Sequence, residues 1–346
     1  MDARVLALLP PLATSLGITA VALLVAVLVH ELGHVVAGYF VGLRVARIHL
    51  GPLEIRDYGR PRVRLVWSLQ AGVVLVPFER TAALGSLRWS LIVSTAAGPL
   101  IGLVSGAAMI ALAGGLRLTD TSLPQAVGQA SLILGLLNLL PLRSGEQLAD
   151  GRRMFSLLLH NRESAQILAA TLMMTEALSG RRPREWDPAL LQAMERMPHE
   201  VFARLCLYEA AIDRGEIEAG GRHLDAAVAL RKEKWTSADA ILFLEAAYYA
   251  ARHRSDARGA RALLGLASGG GVVDYMRARA EAAVLCAEGR ALEGRQRAVA
   301  GLAALDRARR RGEDPCREQL EDLARGAGAL VRPLLTRPVT GTPALE

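Results

Sequence analysis

His30-Glu31-Leu32-Gly33-His34 lies inside an apolar run from Gly17 to Phe40. On a helix, positions i and i+4 share one face, so the two imidazoles can grip a single cation, and Glu31, one step along, faces water bound to it. Two ligands and a general base at this spacing form the H-E-x-x-H pattern of zinc-dependent hydrolysis. The run is 24 residues long, about 36 Å as a helix, against the ~30 Å hydrocarbon core of a bilayer. Ionisable side chains at that depth are costly and point to function. A solvated helix face, the usual setting of a chance match, does not account for them here.

Composition supports a membrane half and a water-soluble half. Of the 346 residues, 52% are hydrophobic and 22% charged, and the mean hydropathy is +0.26. Both are high because they are segregated: long apolar runs fall before residue 150, and Arg, Glu and Ala dominate afterwards. The net charge of +7 comes with only 4% aromatics and no basic stripe interleaved with them, so no nucleic-acid partner is expected. A basic cytoplasmic side explains the charge better. Cys206, Cys286 and Cys316 are far apart and odd in number, which excludes a disulfide framework and fits a reducing compartment.

Three spans are expected. Gly17–Phe40 shows no small-residue cleavage site, and cleavage would remove or expose the motif, so the first run reads as a retained helix rather than a leader. Residues 41–88 carry Arg44, Arg47, Arg56, Arg60, Arg62, Arg64, Arg80 and Arg88 against Glu54, Asp57 and Glu79. The positive-inside rule puts this segment in the cytoplasm and the N-terminus outside. Within it Val63–Leu69 alternates and Val73–Val76 follows, predicting a small β-element at the membrane surface, either a packed connector or an open edge for an unwound substrate. Leu87–Leu116 carries Gly98, Gly102 and Gly106 at four-residue spacing, which predicts close packing against the metal-bearing helix. Arg117–Leu123 reads as an outside loop, and Pro124–Leu142 as a weaker third span returning to the cytoplasm.

That third helix ends at Asn138-Leu139-Leu140-Pro141, and Asp150-Gly151 follows the break. Open catalytic zinc centres take three protein ligands and keep one free position. His30, His34 and Asp150 would supply the three, and the charge bias places all of them toward the same side. Asn138 is a candidate for steadying substrate or oxyanion, with capping of the broken backbone near Pro141 as the alternative.

These residues resemble the site-2 protease family of intramembrane metalloproteases over roughly residues 17–160. The resemblance rests on the His30–His34 motif, on Ala97-Gly98-Pro99 in the second helix, and on Asn138 to Pro141 followed by Asp150-Gly151. It implies a three-helix catalytic core, one zinc ion held by His30, His34 and Asp150, Glu31 as base, and cleavage of a membrane-embedded protein segment. It also implies a re-entrant or β-element between the first two helices. Neither extra spanning helices nor a PDZ insert, both present in many relatives, is found.

Beyond the core, Met154–Ser179 reads as a helix and Gly180–Pro188 as a linker. Glu209-Ala210-Ala211, Glu245-Ala246-Ala247 and Glu281-Ala282-Ala283 then recur at an interval of 36 residues, resembling tetratricopeptide-type repeats. Such stacks bind a peptide or protein partner on a concave face; a plain helical bundle is the alternative. The expected architecture is therefore mostly α. Residues 1–160 form a membrane-embedded core, 161–188 a helix and linker, 189–305 cytoplasmic helical repeats, and 306–346 a basic disordered tail. The expected location is an integral position in a bacterial inner membrane, in contact with lipid. Two other functions fit the residues less well: a protease-derived scaffold without turnover, and a metal transporter, for which a single closed-off site offers no pathway.

Overall fold

The computed structural model describes residues 3–57, 61–65, 71–78, 84–117, 122–144, 147–231, 239–267, 274–308 and 315–326. The chain is mostly helical and divides into two compact units, Met1–Arg214 and Gly215–Glu346.

The first unit begins with α1 (Ala3–Phe40). Its segment Ala13–Phe40 and the whole of α2 (Leu84–Leu112) are long and apolar enough to cross a membrane, whereas α3 (Leu123–Leu139) is apolar but shorter. Between α1 and α2 stands an antiparallel sheet of β1 (Leu43–Leu50), β2 (Leu53–Asp57), β3 (Pro61–Leu65) and β4 (Ala71–Pro77), in the order β3-β2-β1-β4. The sheet is larger than the alternation of Val63–Leu69 implies. Arg44 and Arg47 of β1 and Arg56 of β2 interrupt the apolar alternation and hide the strand character, and residues 66–70 lie outside the described residues. The sheet is anchored at the α1–α2 junction: Leu43 and Leu75 pack with Leu87, Leu91 and Ile92 of α2.

The glycine stripe of α2 divides its contacts. A Cβ on Gly98 would strike the His34 ring of α1, whereas Cβ atoms on Gly102 and Gly106 would meet Ser131, Gly135 and Gly128 of α3. The expected packing of α2 against α1 is made at Gly98, while Gly102 and Gly106 bring α3 close. Leu140 ends α3 with an extended backbone, the conformation that Pro141 imposes on its predecessor.

After the small hairpin of β5 (Arg143–Ser144) and β6 (Gln147–Leu148), α4 (Asp150–Leu159) and α5 (Arg162–Leu178) replace the single helix expected over Met154–Ser179. His160 breaks it with a left-handed backbone, φ 53°, and the Asn161 side chain caps α5 by accepting from the Ser164 N–H. The expected linker is packed as well. Within Gly180–Pro188 a short 3-10 turn, Pro183–Glu185, precedes α6 (Pro188–Glu195) and α7 (Val201–Asp213). There Trp186 is buried with Met173, Met194 and Cys206, and buried Arg182 pairs with Asp213 of α7. That ion pair, with the Arg184 N–H donating to Asp213 at 3.0 Å, ties the segment to α7, so the first compact unit runs on to Arg214.

The second unit holds α8 (Ile217–Ala229), α9 (Ala240–His253), α10 (Ala257–Leu266), α11 (Asp274–Ala287), α12 (Ala291–Ala308) and α13 (Pro315–Arg325). The Glu-Ala-Ala triplets fall on α7, α9 and α11, so the first copy lies in the first unit and the other two in the second. Glu245 and Arg279, each buried, form an ion pair between α9 and α11, and the guanidinium lies 4.5 Å from the Tyr248 ring centre. Part of the expected tail is also structured. In α13, Cys316, Leu320 and Leu323 are buried, and Leu320 lies against α12 where a Cβ on Gly301 would strike it. Residues beyond 326 lie outside the described set.

Two predictions concern this unit. Leu320→Ala should cost about 2–5 kcal/mol in urea unfolding of the second unit, where a solvated tail would give no change. His253 is pushed down to about 4, by burial first and by Arg252 second, so its neutral form is favoured when folded. The associated stability is present above its ordinary value of 6.5 and is lost as pH falls from there toward 4. His253→Gln should flatten that part of the unfolding-versus-pH profile.

Candidate metal centre

Three donor atoms from two helices, α1 and α4, meet at one point. His30 Nε2 lies 3.1 Å from Asp150 Oδ2, His34 Nε2 lies 3.3 Å from the same oxygen, and the two Nε2 atoms are 3.2 Å apart. Ligand atoms at 2.0–2.1 Å in a tetrahedral site stand about 3.3 Å from one another, so this triangle has the dimensions of one face of a four-coordinate divalent site. His30 and His34 are 4% and 8% exposed, which removes water as the solvent of these groups.

Hydrogen accounting points the same way. His34 Nδ1 lies 2.8 Å from the Ser94 carbonyl oxygen. That oxygen can only accept, so Nδ1 carries the hydrogen and Nε2 of the neutral ring presents a lone pair to the triangle. At most one N–H, on His30, remains for three close contacts. A cation bound by the three donors would satisfy all three, with the carbonyl behind His34 placed as the orienting partner usual for a metal-bound imidazole.

The scaffold sets this geometry through two close approaches. At the α1–α2 crossing, a Cβ on Gly98 would lie 2.3 Å from His34 Nε2, so only glycine leaves room for the ring. The contact is fixed from both sides, since Ser94 Oγ donates to the His34 carbonyl at 3.2 Å. At the α3–α4 junction, a Cβ on Gly151 would lie 2.1 Å from the Leu139 carbonyl oxygen. Glycine there lets the first turn of α4 press onto the end of α3, which brings Asp150 to the histidines. The Ala149 N–H, donating to Leu142 O at 3.2 Å, closes the intervening hairpin.

His30, His34 and Asp150 are thus assembled as a group able to hold a metal ion. Glu31 is 9% exposed, and its Oε2 has no hydrogen-bond partner among the described residues. Asn138 engages its own helix, its Nδ2 donating to Leu134 O at 3.1 Å. Sequence reasoning missed Ser94, Gly98 as the seat of His34, and Gly151 as the spacer. The Ser94 contribution is a backbone carbonyl, which no residue type announces; the glycines were visible, but not what they face.

Two imidazoles from one membrane-length helix and a carboxylate from the first residue of α4 form a candidate two-histidine, one-carboxylate metal site with a neighbouring glutamate. Residues 18–122 match the model of peptidase family M50, the site-2 protease family. That match supports a membrane metallopeptidase of the site-2 type at the level of family. No curated protein and no solved structure matches the chain. The matched stretch holds His30, Glu31 and His34 but ends before Asp150, so the third donor stands on geometry alone.

Metal analysis of purified protein should find about one divalent ion per chain, lost in His34→Ala and Asp150→Ala. Gly98→Ala and Gly151→Ala, which leave every donor in place, should lower metal affinity at least tenfold. Retention equal to wild type in both glycine variants would contradict the packing account.

Proposed function

We propose that the protein is a zinc-dependent intramembrane protease that hydrolyses a peptide bond within or next to a transmembrane segment of a membrane-protein substrate. The convergence of His30, His34 and Asp150 beside Glu31 is the observation that carries this reading. The separations of 3.1 to 3.3 Å and the two-nitrogen, one-oxygen donor set suit zinc. When bound, the ion supplies Lewis acidity toward a peptide carbonyl and toward water.

The chain's own groups do the rest. Glu31 takes the proton of the attacking water and returns it to the leaving amide nitrogen. The Ser94 carbonyl holds His34 in one tautomer throughout. The apolar walls of α1 and α2 keep bulk water out, which strengthens each charge interaction inside. A substrate helix hides its carbonyls in its own hydrogen bonds, so it must unwind locally before cleavage.

α3, at 17 residues, reaches about 26 Å and crosses as the third core helix by burial against α1 and α2. The basic segment after α1 faces the cytoplasm, the N-terminus lies outside, and the Glu-Ala-Ala helices form the cytoplasmic part that recruits a substrate or partner protein.

Glu31→Gln should keep the metal yet lower processing of a co-expressed membrane substrate by roughly 10²–10⁴-fold. Undiminished processing would favour a scaffold that works without turnover.

A further inference from the structure

α4 is buried on one side only. Leu157 is fully buried among Leu87, Leu91 and Ile92 of α2. Phe155, Leu158 and Leu159, at i, i+3 and i+4, share another face and are 44%, 42% and 72% exposed. Three large apolar side chains on one exposed face of a ten-residue helix require something to cover them.

The position of α4 indicates what that is. Its buried face rests on the N-terminal turns of α2, at the level where Ser90 Oγ donates to the Val41 carbonyl just past the end of α1, at 2.7 Å. Among the described residues, the exposed aromatic side chains of the first unit gather at the same end. Tyr39 and Phe40 close α1, Phe78 packs its ring 5.9 Å from that of Tyr39, and Trp89 lies in the second turn of α2. Aromatics are only 4% of the chain, so this grouping marks a level rather than a background. Aromatic rings with flanking arginines are the signature of the membrane–water boundary. Arg88 of α2 and Arg152 and Arg153 of α4 supply the arginines. Arg152, at the edge of the apolar face, pairs with Glu163 of α5 at 3.3 Å.

We propose that the outer face of α4 is a lipid-contact surface, seated in the headgroup layer at the α1 C-terminal end. The bilayer thereby holds the helix turn that bears Asp150 against the histidine pair. Phe155, Leu158 and Leu159 enter the acyl boundary as an in-plane amphipathic helix does, and the surface is continuous with the lipid-facing sides of α1 and α2. Asp150 is the first residue of α4, so the depth of the helix in the interface sets where the third donor lies. The inference rests on the reading that α1 and α2 cross the membrane, and the test separates the two.

p-Benzoylphenylalanine is placed singly at three exposed positions of the full chain: Leu159 in α4, Leu24 in α1 and Leu292 in α12. The protein is reconstituted in vesicles of phosphatidylethanolamine and phosphatidylglycerol, irradiated, and weighed intact. Lipid adducts at Leu159 and Leu24, with none at Leu292, are expected. Adducts at Leu24 but not at Leu159 overturn the α4 proposal and leave the spanning helices standing. Adducts at neither overturn both. In the same vesicles, Leu158→Asp with Leu159→Asp should weaken zinc binding at least tenfold; unchanged affinity would remove the coupling to Asp150.

Discussion

Two histidine nitrogens and a carboxylate oxygen lie within 3.1 to 3.3 Å of one another, with at most one hydrogen to share among the three contacts when both rings are neutral. The Ser94 carbonyl fixes the hydrogen of His34 on the far side of the ring, and the two imidazoles are buried. Like-signed lone pairs facing one another in low dielectric repel strongly. A positive ion among them would turn the same arrangement from a cost into an attraction. The helix crossing, the break after α3 and the placement of α4 all serve to hold these three atoms together.

Each of those features has a local chemical cause. Glycine at position 98 lets the α2 backbone lie against an imidazole. Pro141 forces Leu140 out of helical geometry and turns the chain. Gly151 lets the next helix start in contact with the carbonyl of Leu139. The other α2 glycines draw α3 close, which leaves the outer faces of all three helices apolar and exposed: Leu24, Val104 and Ile133 are 55%, 71% and 59% accessible. Such surfaces are stable beside lipid and a liability in water.

The site was more legible in the sequence than the fold. His30, Glu31 and His34 declare themselves by helical spacing in a run where charge is expensive, and Asp150 by a carboxylate and glycine just after a proline break. Packing partners were not legible. The glycine stripe of α2 shows that something comes near, not that α1 takes Gly98 while α3 takes Gly102 and Gly106. β1 and β2 were hidden because arginines interrupt their apolar alternation. α13 was taken for tail because Arg307–Arg311 precedes it, although Leu320 and Leu323 behind that run are core residues. The linker at Gly180–Pro188 read as loose because Gly, Arg and Pro dominate it, yet the buried Arg182–Asp213 pair and Trp186 fasten it in place. Pairings between residues distant in the chain leave no local signature.

The account stands on a cation at the centre of that triangle. X-ray absorption at the zinc edge of the purified full chain measures it directly. The account predicts a four-coordinate shell of nitrogen and oxygen at ~2.0–2.1 Å, with the multiple scattering of two imidazoles and loss of one light scatterer in Asp150→Ala. A shell containing sulfur, or one that is the same with and without Asp150, would contradict it.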